Sequence, residues 1–396
     1  MKRLFIICIL LLALPAHLFS QEPLTPLTEK LNEIQELGYL PGFAVSIVSA
    51  DGVHYQKGFG YRDTLSKKPF TIHSLQNIGS ISKTMTGLAL AKLIENGKLS
   101  WHTPINDILP FNIYNPYYPK IPITVAHLAT HTSTINDPLD YERTYLFSEK
   151  IVLSKKELPK DYRKLVSMYN ENIPMPVEEF VENMTHPLGK WYKKKNFIRK
   201  KPGTTYQYSN MGAAIAGIII ERVSGVTFQE YARKLILEPL QMNDSGWSHD
   251  EVDMSQFVSL YLSNNQKIPN YELISYADGG MITNVHDLSL YFSEMIKGYR
   301  GKSTKVLNPN SFTRIMGTAF HSEEKDSGLF WAINGKGEIG HSGGDPGIMA
   351  FMMFDPQTGF GRIVLTNKSD NEGNGINQLV YIWKTMEEYI PKLIPH

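Results

Sequence analysis

The stretch Asn77-Ile78-Gly79-Ser80-Ile81-Ser82-Lys83-Thr84-Met85-Thr86-Gly87 decides how the rest of the chain is read. From Ile81 apolar residues recur at Met85 and Leu88, then at Leu90, Leu93 and Ile94, a helical period that stops at Asn96-Gly97. The spacing predicts an amphipathic helix with Ser80 at its start. A hydroxyl there feels the positive end of the helix dipole and lies beside unbonded backbone N–H groups, while Lys83, three residues on, shares its face. A serine hydroxyl is a weak nucleophile at neutral pH, and a partly desolvated lysine within reach supplies the activation it lacks.

The motif S-x-x-K is short. At about 7% for each residue type, roughly two matches arise by chance in a chain of this length. A second match does run from Ser322 to Lys325, within His321-Ser322-Glu323-Glu324-Lys325-Asp326. That stretch has no apolar face to desolvate a lysine and reads as a solvated loop. Ser80 gains weight from its helix start and from partner motifs nearer the C-terminus.

The chain has 396 residues, 42% of them hydrophobic, enough for a large core in one domain or two lobes. A net charge of +1 gives no global pointer to nucleic acid. Lys2 and Arg3 precede an apolar run from Leu4 to Leu14, and a polar Gln21-Glu22-Pro23 follows Ser20. Residues 1–20 therefore read as a secretory signal peptide cleaved near Ser20, with a periplasmic destination. Leu18 is not the small residue usual three positions before a cleavage point, so an uncleaved anchor stays open. Cys8, the single cysteine, lies inside this run, and the remainder offers no disulfide, thiol nucleophile or cysteine metal site. After signal cleavage no apolar run reaches membrane length; Ala213 to Ile220 comes nearest.

In chain order, Gly42 to Val48 and Val53 to Phe59 flank Asp51-Gly52, a hairpin signal. Ile123 to His131 reads as a short helix carrying His127 and His131 four apart. A zinc-protease version would need Glu after the first histidine, and Leu128 stands there, so the pair is read as structural. Residues 136–202 are irregular and include Lys190-Trp191-Tyr192-Lys193-Lys194-Lys195, with Arg199, Lys200 and Lys201 behind. That mixture suits either a solvated loop or contact with an anionic cell-wall polymer. Tyr208 and Asn210 come next, placed on one side if the backbone is extended, then a helical run to Val223. Thr227 and Glu230 form a capping box, and a helix is expected over Val285 to Ile296.

Gly340-His341-Ser342-Gly343-Gly344-Asp345-Pro346-Gly347 precedes a strand at Ile348 to Phe354. A turn at Asp355 to Gly359 leads to a strand at Arg362 to Thr366, and a helix runs from Ile376 to Ile390. Strands at both ends with helices between predict an α+β fold. An antiparallel sheet built from the N- and C-terminal segments with flanking helices would carry an inserted, mostly helical lobe. Residues 21–396 form one catalytic domain in this reading, with a sheet lobe near 21–75 and 328–396 and a helical lobe near 76–327. Gly340 to Gly344 also spells G-x-S-x-G, but Pro346 and a strand follow the serine where a nucleophile elbow needs a helix, and only His396 lies downstream to close a triad. Ser369-Asp370-Asn371 matches a class A β-lactamase motif out of order, with no Lys-Thr-Gly in the chain.

Ser80-x-x-Lys83, Tyr208-x-Asn210 and His341-Ser342-Gly343, in that order, resemble the serine β-lactamase-like superfamily of class C β-lactamases, D-alanyl-D-alanine carboxypeptidases, D-aminopeptidases and related esterases. Supporting stretches are Gly58-Phe59-Gly60, Leu128 to Ser133, Glu238 to Met242, Asp278-Gly279-Gly280-Met281 and Asp287-Leu288. The resemblance implies that Ser80 is the acylated nucleophile, Lys83 its partner and Tyr208 the base. Asn210, His341, Ser342 and Gly343 would bind substrate, with Asn210 on its amide, and the N–H groups of Ser80 and Gly344 would form the oxyanion hole. It further implies a serine hydrolase acting on an amide or ester (a D-amino-acid peptide, an ester or a β-lactam), with no metal or cofactor and a small-molecule or peptide substrate. A non-catalytic penicillin-recognising or wall-binding module is the alternative. His341 stands where the family's β-lactamases carry Lys, which favours peptidase or esterase chemistry. Thr134 replaces the usual Gly after Thr132-Ser133, which leaves the local turn open but not the chemistry.

Overall fold

The computed structural model describes residues 24–323 and 325–393; the predicted signal peptide at 1–20 lies outside them. Nine antiparallel strands form the main sheet: β1 (Gly42–Ser49), β2 (Gly52–Asp63), β3 (Lys68–Pro69), β4 (Phe320–His321), β5 (Asp326–Ser327), β6 (Ala332–Ile333), β7 (Ile339–Asp345), β8 (Ile348–Phe354) and β9 (Gly361–Thr366). Their spatial order is β4-β5-β6-β7-β8-β9-β1-β2-β3. The Asp51-Gly52 hairpin forms as expected, and β1 joins the C-terminal strands through β9, with Phe43 opposite Thr366 and Val45 opposite Val364. The C-terminal contribution begins earlier than the expected 328, because β4 and β5 already belong to the sheet.

The long helices are α1 (Thr25–Gln35), α2 (Ser82–Glu95), α3 (Asn210–Ser224), α4 (Val285–Tyr299) and α5 (Asn374–Tyr389); α1, α4 and α5 pack on the sheet, while α2 and α3 pack on each other. Every residue of β1 is buried, which is what a strand covered on both faces requires. Phe43, Val45 and Ile47 face one way, into a core with Leu27 and Leu31 of α1 and Leu379, Ile382 and Met386 of α5. Ala44 and Val48 alternate to the other face, where the larger core gathers α2, α3 and α4.

The helix α2 differs from the amphipathic expectation. All of Ser82 to Ala91 is buried, polar residues included, because α2 runs through the middle of the larger core. The short hydroxyls are satisfied locally or across the core: Ser82 donates to the Gly79 carbonyl at 2.7 Å, Thr84 to that of Ile81 at 2.7 Å, and Thr86 to that of Ala277 at 2.6 Å. A buried hydroxyl with a partner behaves as core, so polarity did not mark an exposed face. Thr227 caps its helix by accepting from the Glu230 N–H, but the reciprocal half of the box is absent, since the Glu230 carboxylate pairs with Lys234 at 2.7 Å.

Candidate active site

Ser80 occupies a single 3-10 turn, Gly79–Ile81, that feeds directly into α2. Gly79 sits at φ +53°, a left-handed conformation that suits glycine. The strand β7 presses against this turn: a Cβ on Gly343 would lie 2.0 Å from the Ile78 carbonyl oxygen and 3.2 Å from the Ser80 nitrogen. Only a residue without a side chain lets the strand come so close. One residue on, the Gly344 Cα faces open space. The Ser80 N–H, in the first turn, has no intrahelical carbonyl to bond, so the Ser80 and Gly344 nitrogens edge one small region.

Lys83 is completely buried, and its ammonium has three acceptors: Ser80 Oγ at 3.0 Å, Asn210 Oδ1 at 2.7 Å and the Asp278 carbonyl at 2.6 Å. An ammonium has three N–H donors, and all are placed. Burial alone would push Lys83 down, but Tyr208, Asp278 and Asp137 outweigh it and hold the lysine above its ordinary value. The Tyr208 hydroxyl lies 2.7 Å from Ser80 Oγ on the other side, and the Lys83 ammonium sits 5.2 Å from the Tyr208 ring centroid. Ser80, Lys83, Tyr208 and Asn210 are therefore one cluster. Asn210 is the first residue of α3, not part of a strand; the extended Ser209 before it turns Tyr208 and Asn210 toward the same space.

His341 is buried on β7, and its Nδ1 lies 2.6 Å from the Ser342 carbonyl, an arrangement that places the proton on Nδ1 and leaves Nε2 as an acceptor. Burial, reinforced by Lys83 and Lys325, pushes its pKa down to about 4 against the bond to Ser342, so the ring is neutral at ordinary pH. Ser342 is exposed on the strand. Gly340 to Gly344 lies within β7 and is followed by β8, so no nucleophile elbow exists there. Ser369 instead accepts from the Gly347 N–H at 3.1 Å.

Two carboxylates that the motifs did not single out hold the cluster. Asp137 accepts from the Asn210 N–H at 2.6 Å, the Met211 N–H at 3.1 Å and the Ser209 hydroxyl at 2.9 Å, and so caps α3 from outside. It lies far from Asn210 in sequence, and no local pattern announces it. Asp278, inside one of the stretches that carried the resemblance, supplies its carbonyl to Lys83 while its buried carboxyl receives the Tyr141 hydroxyl at 2.8 Å. Burial pushes that carboxyl up to about 7, against the pull of Lys83. Asp137→Ala leaves three donors at a helix start without their acceptor. The expected result is a loss of about 2 kcal/mol in stability, read by denaturant unfolding, with turnover lowered because Tyr208 and Asn210 lose their anchor.

The two histidines serve the backbone. His127 Nδ1 accepts from the Thr124 N–H at 3.2 Å and caps the short helix Val125–Ala129. His131 lies past its end at φ +56°, accepts from the Ser209 N–H at 3.3 Å, and packs its ring 4.5 Å from that of Tyr208. Thr134 keeps the left-handed backbone that glycine would take, at φ +71°, with its hydroxyl accepting from Asn115 Nδ2 at 2.7 Å. The same amide donates to the carbonyls of Ile198 and Lys200, which ties the basic segment to this turn. In that segment Trp191 is buried against Phe180 and Lys193 pairs with Asp140 at 2.8 Å. The Ser322–Lys325 match is a turn closed by Ser322 on the Lys325 backbone, yet it borders the site: Lys325 Nζ lies 5.9 Å from the Tyr206 ring centroid.

This geometry can be set beside known proteins. A sequence model of the beta-lactamase family matches residues 31–386. The chain belongs to that family. It is 23% identical over 395 residues to Protein flp of Staphylococcus aureus, covering 95% of this chain and 66% of that protein's length. It is 28% identical to the human mitochondrial serine beta-lactamase-like protein LACTB over 71% of this chain and 58% of that one. Among solved structures, the octameric penicillin-binding protein homologue from Pyrococcus abyssi superposes with a TM-score of 0.67 at 28% identity, covering 87% of this chain and 73% of that one. The D-amino acid amidase from Ochrobactrum anthropi SV3 gives a TM-score of 0.65 at 18% identity, over 93% and 99% of the two chains, a likeness of fold. The chain therefore has the beta-lactamase-like serine hydrolase fold, with the large antiparallel sheet and the many helices expected of it.

Proposed function

We propose that this chain is an exported serine hydrolase that works by acyl transfer through Ser80. The observation that carries the reading is the position of Ser80 Oγ between two proton-handling groups, the Lys83 ammonium at 3.0 Å and the Tyr208 hydroxyl at 2.7 Å. With the Tyr208–Lys83 pair one proton short, as a phenolate beside the ammonium or a neutral amine beside the phenol, Ser80 attacks the substrate carbonyl and passes its proton to the pair, which returns it to the leaving group and then activates water against the acyl-enzyme. The oxygen of the tetrahedral intermediate takes hydrogen bonds from the Ser80 and Gly344 N–H groups, a contribution of about 3 kcal/mol per donor in such sites. Asn210 holds the acyl-side amide. Export rests on Lys2, Arg3 and the apolar run from Leu4 to Leu14.

The acyl donor is an amide or ester of peptide type, with a D-amino-acid amide or peptide as the leading candidate, in keeping with the amidase among the fold relatives. A neutral His341 at the position where a β-lactamase of this family carries a lysine leaves a β-lactam carboxylate without that cation, which favours peptides and esters over β-lactams. The test combines fluorophosphonate labelling, with the labelled residue located by peptide mapping, and a parallel screen of D-amino-acid amides and peptides, p-nitrophenyl esters and a chromogenic cephalosporin. Labelling at Ser80 with turnover of the first two classes is the expected result. An unlabelled, inert protein would sink acyl transfer and leave a binding module of the same fold; fast cephalosporin turnover would overturn the substrate assignment alone.

A further inference from the structure

Asp345 closes β7 one residue beyond Gly344. Its Oδ1 accepts a 2.6 Å hydrogen bond from the Tyr145 hydroxyl, whereas Oδ2 is buried with no hydrogen-bond partner among the described residues. The point that a Cβ on Gly79 would occupy lies 2.9 Å from this Oδ2 and 3.1 Å from the Gly344 nitrogen, and the corresponding point on Gly279 lies 3.7 Å from the same oxygen. A carboxyl group is thus lodged behind the turn that presents Ser80 and beside the strand that presents Gly344. Tyr145 packs edge-on against Tyr169 and Tyr271, and the Tyr271 hydroxyl is also buried without a partner among the described residues. The titratable groups close enough to Asp345 for their charges to be felt are Tyr145, Tyr162, Tyr169, Tyr271, Glu142 and Lys83.

We propose that Asp345 is a positioning residue for the oxyanion donors that must be an uncharged carboxylic acid for Ser80 to be acylated, and that its ionisation switches acylation off. The proposal rests on the acyl-transfer reading. Attack by Ser80 places a negative charge on the former carbonyl oxygen, between the Ser80 and Gly344 N–H groups. Because Asp345 Oδ2 is itself buried, a second negative charge there, a few ångströms behind those donors, is poorly screened, and it raises the energy of the intermediate they are meant to hold. The neutral acid keeps the bond from Tyr145 and the packing against Gly79 without that opposition. Burial pushes Asp345 up to about 7, with Glu142 adding to the rise and Tyr145 and Lys83 opposing it. The acid is therefore neutral below this range and charged above it, and acylation falls as pH rises through it. Stability follows the same sign: a carboxyl with its folded pKa raised above the ordinary value of about 3.9 weakens the fold progressively between about pH 4 and 7.

The parent chain, D345N and Y145F are compared across pH for melting temperature and for the rate at which a fluorophosphonate labels Ser80, an attack on phosphorus that expels fluoride and sets the phosphoryl oxygen against the same N–H donors. Between about pH 6 and pH 9 the parent should slow by about tenfold or more, with a midpoint near 7, while D345N, neutral throughout, should slow by less than about threefold. Y145F removes a bond that favours the ionised form, so its midpoint should move up. The melting temperature of D345N relative to the parent should rise as pH goes from about 4 to 7, because over that range the parent's carboxyl ionises in the unfolded chain while the fold keeps it protonated. An alkaline limb unmoved in both variants overturns the proposal, as does a melting difference independent of pH. Should D345N fail to fold, the Y145F midpoint decides. A parent unlabelled at every pH overturns the acyl-transfer reading instead, and the melting series, which needs no chemistry, still reports whether Asp345 ionises in the fold.

Discussion

Ser80→Ala should abolish hydrolysis, with a loss of roughly four to six orders of magnitude in kcat, while Ser322→Ala and Ser342→Ala keep most of the parental rate. The asymmetry follows from surroundings, since the three serines are chemically alike. Ser80 Oγ lies between Lys83 and Tyr208, within reach of two backbone donors held by the Gly343 approach. Ser342 is at an exposed strand position and bonds neither Lys83 nor Tyr208, and Ser322 spends its hydroxyl closing a turn on the Lys325 backbone. Removing one oxygen from a half-exposed side chain leaves no cavity, so the Ser80→Ala protein should melt close to the parent. Rates and melting curves measured together separate lost chemistry from lost fold. Comparable loss in Ser342→Ala with none in Ser80→Ala would return the assignment to G-x-S-x-G.

What could be read in advance depended on the range of the interactions. The Asp51-Gly52 hairpin, the strands after Gly347 and the helices at Asn210 and Val285 are announced by neighbours in sequence, through turn chemistry, alternation and apolar period, and they formed with boundaries off by a few residues. The S-x-x-K and Y-x-N pairs were also local, the first brought to one side by a helical turn and the second by the extended Ser209 between its members. The residues that were missed act at long range. Asp137 caps a helix more than seventy residues away, Asp278 meets Lys83 from an element nearly two hundred residues on, and Asp345 is paired by Tyr145 across two hundred. The two-residue strands β4 to β6 offer no alternation to detect. Helix α2 misled for a different reason: its threonines and serine are buried because carbonyls of the turn before it and of Ala277 accept their hydroxyl protons, and polarity alone does not reveal that.

Tyr208→Phe should cut turnover by roughly two to four orders of magnitude, the usual range for a positioned acid or base, and so should Lys83→Met. The double variant should be scarcely worse than either single one. A phenol ordinarily titrates near pH 10, so a base at this position works near neutrality only if a cation holds its anion or takes over the proton. Lys83 is the cation in place, 5.2 Å from the ring centroid, and its three donors are fully engaged by Ser80, Asn210 and Asp278. It has no free lone pair in this state and the Tyr208 hydroxyl donates to Ser80 Oγ, so the pair can take the serine proton only once it has itself lost one, as a Tyr208 phenolate beside the Lys83 ammonium or as a neutral Lys83 beside the phenol. The two groups thus share one proton route, and losing either end closes it. Phe keeps the ring packed on His131, and Met fills the buried volume that Ala would leave empty, so both variants should fold. Groups that act as a unit show non-additive losses. If the two losses multiply in the double variant, Lys83 and Tyr208 act on separate steps and the shared route is wrong.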